Sequence, residues 1–399
     1  MPRRRLVRRG LLAVALGFVL LNAVAFFHAW RFTHFTADPS QPTGSPEQLT
    51  LAGKLWVLAT GVRTPKPRNL ARPTFPYATV QLVSPNGRLE SWYGAVPRAR
   101  GTVALFHGYT SSKSQLLHEA GYFRCLGYNV LLTDFAGSGG SQGYCCTVGY
   151  REAADVAAVV RWLQRRPGPV FIYANSMGAV ATLRAEAELG LRPTANLLEC
   201  PYGSMLATAQ SRFRSMGVPA FPMANLLVFW GGAANGFNAS ALDATAYAAR
   251  TPTPTLLMWG TADPRVTHAE TDAIFTALAG PRQRQDFPGS GHEPYCGSMR
   301  HYGSTRWQGF WPGSSAKLRL HVLLNEGAQE SVTIREAGAS RYCPAGRSSA
   351  LGFFVESQTG TKSGYSAPKN DNLSLETRIL WAGTSLVIRA ARGFQPSFN

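Results

Sequence analysis

The sequence predicts an α/β fold: a mostly parallel central sheet with helices on both faces, preceded by an N-terminal transmembrane helix. Three observations carry this. Short apolar runs without alternation recur at 103–106, 130–133, 170–173, 196–198 and 255–259, the pattern of strands buried on both faces. Stretches with helical character alternate with them at 115–126, 152–164, 178–189 and 269–278, and β-α-β alternation implies parallel strands joined by right-handed crossovers. Ahead of them all, residues 11–30 carry no charge.

As a helix, that uncharged run is about 30 Å long, the thickness of a bilayer core. Arg3, Arg4, Arg5, Arg8 and Arg9 precede it. The positive-inside rule puts these arginines in the cytoplasm and the remainder of the chain across the membrane. Ala23-Val24-Ala25 resembles a signal-peptide cleavage site, so secretion after cleavage is the alternative. The apolar run continues past that site through Phe26 and Phe27, which favours a retained anchor over residues 1–35. Residues 36–76 read as a linker with a short helix. Pro39, Pro42, Gly44 and Pro46 mark a polar connection, Leu51, Leu55 and Leu58 give 49–60 helical spacing, and the prolines of 62–76 make an extended segment.

The globular domain is expected over 77–312. It opens with a β-hairpin, 77–83 and 89–94, around Asn86-Gly87, a strong turn signal. The segment 198–253 carries an aromatic, Met-rich stretch that reads either as an acyl pocket over a site or as two packed helices. A closing helix is expected at 302–310. Residues 313–399 fit nothing in this pattern apart from strand-like runs at 318–322 and 385–388; they read as an appendage, either poorly ordered or translated out of frame.

Composition narrows the partners. Of 399 residues, 45% are hydrophobic and 16% charged, enough for one α/β domain of about 250–300 residues. The net charge of +18 is concentrated in part at the N-terminus and otherwise dispersed. With no basic helix face, interleaved aromatic motif or zinc spacing, it reads against a nucleic-acid partner. Six cysteines without C-x-x-C spacing read as buried free thiols, a disulfide staying open for a domain outside the cytoplasm.

The chemistry centres on Ala174-Asn175-Ser176-Met177-Gly178. An apolar run precedes it and a helical stretch follows, so Ser176 falls on a strand-to-helix turn between small residues. There a serine is either a helix N-cap or a nucleophile held clear of the sheet beside free N–H groups and the positive end of the helix dipole. Three further stretches suit a nucleophile. His107-Gly108-Tyr109 follows an inner strand; the N–H groups of Tyr109 and Met177 are candidate oxyanion donors, Gly108 allows close backbone approach, and His107 reads as a loop-shaping residue. Asp263, in Trp259-Gly260-Thr261-Ala262-Asp263, is placed to hold an imidazole in one tautomer; an N-cap role is its alternative. His292, in Gly289-Ser290-Gly291-His292, is placed as general base. Asp286 and Asp134 are alternative acids.

The residues 77–310 resemble the α/β-hydrolase superfamily, most closely its bacterial serine aminopeptidase (S33-like) and monoacylglycerol-lipase-like branch. The resemblance rests on Phe106-His107-Gly108-Tyr109, on Asp134-Phe135-Ala136-Gly137-Ser138-Gly139-Gly140-Ser141, on Asn175-Ser176-Met177-Gly178, on Trp259-Gly260-Thr261-Ala262-Asp263 and on Gly291-His292. It departs from the family pattern at Ala174, where the first glycine of G-x-S-x-G is usual, at Asn175, where histidine is usual, and at Ala136, where arginine is usual. The resemblance implies the order Ser176, Asp263, His292 as a triad and an acyl-enzyme mechanism on an ester, thioester or amide, with no metal or organic cofactor. The implied partner is a small-molecule acyl substrate, lipid-like in one reading, beside the membrane itself. Acyl transfer, an S33-like peptidase and a non-catalytic binding module of the same fold are the other readings.

Overall fold

The apolar runs become the interior of an eight-stranded sheet. The structure, a computed structural model, describes residues 2–38, 49–215 and 217–295, with short strands at 354–356, 362–364, 380–382 and 385–387. A hairpin, β1 (Ala78–Ser84) and β2 (Gly87–Gly94), forms one edge. β2 pairs antiparallel with β4 (Asn129–Thr133). From there β3 (Thr102–Phe106), β5 (Val170–Asn175), β6 (Ala195–Glu199), β7 (Thr255–Gly260) and β8 (Arg282–Phe287) run parallel, in the order β1-β2-β4-β3-β5-β6-β7-β8. Every residue of β3, β6 and β7 is buried, which is why these strands do not alternate. Each fully buried Val, Leu or Phe among them contributes roughly 1.5–3 kcal/mol. β8 is the strand the sequence does not announce. Its Arg282-Gln283-Arg284-Gln285-Asp286 is polar because an edge strand faces water, and charge there blocks pairing with another chain.

The crossovers are α3 (Leu117–Cys125), entered through a 3₁₀ turn at Lys113–Leu116, α4 (Glu152–Gln164), α5 (Met177–Leu189), α8 (Ala244–Ala248) and α9 (His268–Ala277). α4 buries Ala153, Val156, Ala157 and Val160, the i, i+3, i+4, i+7 stripe of an amphipathic helix. Between β6 and β7, α6 (Met205–Ser215) and α7 (Met223–Ala234) form a two-helix cap.

The N-terminal run is α1 (Pro2–Thr33), long and apolar enough over Arg4–Thr33 to cross a membrane. Its first half is exposed, but its last turns pack on α7. Ala25 and Ala29 are buried there, Trp230 Nε1 donates to Asn22 Oδ1 (3.1 Å) and Asn235 Nδ2 donates to Thr33 Oγ1 (3.2 Å). α2 (Leu51–Thr60) starts at an N-cap, Thr50, whose Oγ1 accepts from the Gly53 N–H.

The chain divides into two compact units, Met1–Ser298 and Met299–Asn399. In the second, β9 (Phe354–Glu356) pairs with β10 (Lys362–Gly364), and β11 (Leu380–Ala382) with β12 (Ser385–Val387), both antiparallel. The helix expected at 302–310 and the strand at 318–322 lie outside the described residues. Cys145, Cys146 and Cys200 are free thiols.

Candidate active site

β5 ends at Asn175 and α5 begins at Met177, so Ser176 alone makes the turn. Its φ of 49° and ψ of −109° lie where few non-glycine residues sit, a conformation costing on the order of 1–3 kcal/mol. The Ser176 N–H donates to the Glu199 carbonyl (2.7 Å), which pins the turn to β6. Its side chain makes no cap on α5, so the N-cap alternative does not describe it. The small residues are explained by neighbours. A Cβ at Gly178 would come within 2.9 Å of the Phe106 and His107 carbonyl oxygens, and one at Gly108 within 2.9 Å of Asn175 Oδ1 and 3.6 Å of Ser176 Cβ.

Three side chains from three loops meet here. His292 Nε2 lies 2.9 Å from Ser176 Oγ, and His292 Nδ1 lies 2.7 Å from Asp263 Oδ2. The Asp263 carboxylate accepts at Nδ1, so Nδ1 carries the proton and the Nε2 lone pair faces the serine hydroxyl. The other oxygen, Asp263 Oδ1, accepts from the N–H groups of Arg265 (2.7 Å) and Val266 (3.0 Å). Burial pushes the Asp263 carboxyl up. The hydrogen bond and charge of His292, with the two backbone donors, outweigh it and hold the group below the usual carboxylate range. The Asp263 and His292 loops are tied together by the Ala262 N–H on the Ser290 carbonyl (2.9 Å) and the Thr261 N–H on the Phe287 carbonyl (3.1 Å). Such a chain can pass a proton from a hydroxyl to an imidazole while the carboxylate stabilises the cation formed.

The loop after β3 lies against the same turn through Gly108. His107 is buried and shapes it: its Nε2 accepts from the Phe135 N–H (3.2 Å) and its Nδ1–H donates to the Gly108 carbonyl (2.8 Å). Burial lowers its pKa, so it stays neutral. Met177, first residue of α5, has an N–H with no acceptor within the helix. The Tyr109 side chain reaches α1: its hydroxyl donates to the Phe32 carbonyl (2.6 Å), and its ring stacks on Phe32 at 4.7 Å.

Neither alternative acid reaches His292. Asp286 binds Arg284 Nε (2.6 Å). Asp134 is buried against Lys113 and accepts from the N–H groups of Lys113 (2.7 Å) and Gly140 (2.9 Å), which closes the glycine-rich loop.

Sequence reasoning missed three residues that hold the site. Tyr295 is fully buried and stacks on Phe287 at 4.6 Å; its hydroxyl donates to the Gly291 carbonyl (2.7 Å), one residue before His292. Cys200 Sγ contacts that hydroxyl at 2.7 Å. Glu199 accepts from the Tyr295 N–H (3.1 Å) and from Asn175 Nδ2 (3.2 Å). Burial pushes the Glu199 carboxyl up to about 8, so it is protonated at neutral pH. A lone acid closing an apolar strand was the available signal for Glu199; Tyr295 and Cys200 carried none. Cys200, Asp263 and His292 bring potential metal-ligand atoms within 4.8 Å of one another. His292 Nδ1 and Asp263 Oδ2 are bonded to each other at 2.7 Å.

A family profile described as serine aminopeptidase, S33, matches residues 97–202. The uncharacterized protein YqkD of Bacillus subtilis (strain 168) is 26% identical over 199 residues, 49% of this chain and 65% of its own length. The chain thus spans just under two thirds of that relative. Among solved structures, the esterase Pf2001 of Pyrococcus furiosus superposes with a TM-score of 0.51 at 21% identity, over 61% of this chain and 96% of that one. The profile falls on the stretch from β3 to β6 that carries the Ser176 turn and the loop packed against it, and the chain has the α/β-hydrolase fold.

Proposed function

We propose that this chain is a membrane-anchored serine hydrolase that cleaves a carboxylic ester through Ser176, His292 and Asp263. The observation that carries the reading is the unbroken hydrogen-bonded chain Ser176 Oγ–His292 Nε2 and His292 Nδ1–Asp263 Oδ2, at 2.9 and 2.7 Å. His292 takes the serine proton as Oγ attacks the acyl carbonyl. Asp263 stabilises the imidazolium, and the N–H groups of Tyr109 and Met177 receive the oxyanion. The imidazolium then protonates the leaving alcohol. Water, deprotonated by His292, opens the acyl-enzyme and releases the acid. Glu199 and Tyr295 act as positioning residues beneath the turn and the histidine loop.

The anchor reading is supported by contacts on both sides of the Ala23–Ala25 stretch. Asn22 before it, and Ala29 and Thr33 after it, all pack on α7. The arginines at the N-terminus support a hydrolase domain on the non-cytoplasmic side. N-terminal sequencing of protein extracted from membranes checks this: a chain beginning at Phe26 would sink the anchor.

The test of the chemistry is labelling with a fluorophosphonate probe. Wild type is expected to label, and Ser176→Ala to lose both labelling and ester hydrolysis by at least 10⁴-fold in rate, on the order seen when a serine nucleophile is removed. Undiminished labelling of Ser176→Ala would refute the assignment, and an unreactive wild type would favour the non-catalytic binding module. p-Nitrophenyl esters compared with aminoacyl anilides separate esterase from peptidase; turnover of anilides alone would overturn the ester preference.

A further inference from the structure

We propose that the cap helix α7 is seated in the non-cytoplasmic leaflet beside α1, and that the substrate is a long-chain acyl ester drawn from that leaflet. The proposal rests on the membrane-anchored hydrolase reading and adds where the cap lies and what it admits.

The first argument is one of length. Leu11 to Leu21 is about 16 Å of helix, roughly half a bilayer core. To cross the core, α1 must also use Asn22 to Trp30, about 13 Å more. Along that same stretch α1 is packed on α7, with Ala25 and Ala29 buried and Gly231 facing Ala29. Two helices in side-by-side contact share one depth, so lipid that surrounds Asn22–Trp30 also meets α7.

The second is polarity. No charged residue occurs between Arg214 and Asp243, an unusual gap for a surface cap in a chain that is 16% charged. Phe221 and Phe229 are nonetheless 79% and 58% exposed. Phe229 packs edge-on against Trp230 (5.0 Å), and Trp230 against Phe26 of α1 (5.5 Å). This makes one aromatic face across the two helices. Asn22, which with His28 makes the run less than wholly apolar, is satisfied without water: its Oδ1 accepts from Trp230 and its Nδ2 donates to the Phe18 carbonyl (2.9 Å). Polar groups at membrane depth require such partners. The third is proximity to the chemistry. Tyr109 links Phe32, the last turn but one residue of α1, to the loop that touches Ser176. The serine therefore stands near the level at which α1 leaves the bilayer.

The full chain in phosphatidylcholine nanodiscs, doped with a phosphatidylcholine bearing a diazirine in its acyl chain, tests the placement. After irradiation and trypsin digestion, label is expected on α1 and on the peptide 215–250, centred on Phe221 and Phe229. Label on α1 alone, or on neither, overturns it. For the substrate, Phe221→Ser and Phe229→Ser are expected to keep the wild-type rate of fluorophosphonate labelling within about twofold. Their hydrolysis of a long-chain ester embedded in the nanodisc is expected to fall about tenfold. Equal losses in both assays, or none, refute a leaflet substrate. A wild type without fluorophosphonate reactivity would instead refute the hydrolase reading, while the lipid labelling would still judge where α7 lies.

Discussion

Asp263 illustrates how one side chain does two separable jobs. Oδ1 is committed to the Arg265 and Val266 N–H groups and shapes its own loop, while Oδ2 alone faces His292. In Asp263→Asn the loop-shaping oxygen can remain, but an amide N–H would face His292 Nδ1 and impose the wrong tautomer. The expected outcome is a kcat lower by about 10⁴-fold with a melting temperature near that of wild type; a large drop in melting temperature would show that the loop, not the tautomer, had failed. At this scale the sequence was informative where chemistry and backbone coincide. Asp263 and His292 stand at strand ends beside glycines. Tyr295 and Cys200 were not legible, and Glu199 only as a lone acid closing an apolar strand, because their role lies in contacts between positions some 95 residues apart, which local pattern does not register.

Among the elements, the glycine-rich loop after β4 depends on a buried ion pair. Lys113 is fully buried, bound to Asp134 and to Glu90 Oε1 (2.8 Å), with its ammonium 4.4 Å from the Trp92 ring centre. Burial pushes the Asp134 carboxyl up, but the Lys113 charge beside it, with the hydrogen bonds from Lys113, brings it below the ordinary range. Lys113→Met leaves that carboxylate buried without its cation. It is expected to cost about 3–5 kcal/mol, read as a lower denaturation midpoint in guanidinium at unchanged slope; adding Asp134→Asn is expected to recover part of the loss. Elements buried on both faces were legible from their apolar runs. β8 was not, since an edge strand needs no apolar run. Nor was the pairing of α7 with α1, because an uncharged helix looks the same whether protein or lipid covers it.

For the whole molecule, stability carries a pH signature from buried acids. Burial raises Glu199 to about 8 and both Glu119 and Glu186 to about 7, whereas an unfolded glutamate ionises near 4.3. Between those values the folded chain holds protons the unfolded chain has lost, so stability declines as pH rises toward the folded values. Asp134 and Asp263 are depressed and lose their contribution only in acid, below the unfolded aspartate range. His107, lowered by burial, opposes the decline only below about 6.5, the unfolded histidine value. The clean window is therefore pH 6.5 to 8. The melting temperature is expected to fall across it, and to fall less in Glu199→Gln. A flat profile in wild type would refute the buried protonated acids.

The sequence by itself determined the class of fold, the positions of its inner strands along the chain, the uncharged N-terminal helix and the three residues that meet at the Ser176 turn. It could do so because burial on both faces, helix length and strand-end turns are written in neighbouring residues. Only the tertiary structure decided that Ser176 is not a helix cap, that Asp263 rather than Asp286 or Asp134 faces His292, and that the cap lies along α1 with Tyr109 bridging to it. Those outcomes depend on which distant side chain occupies the last few ångströms, a distance set by packing across the sheet.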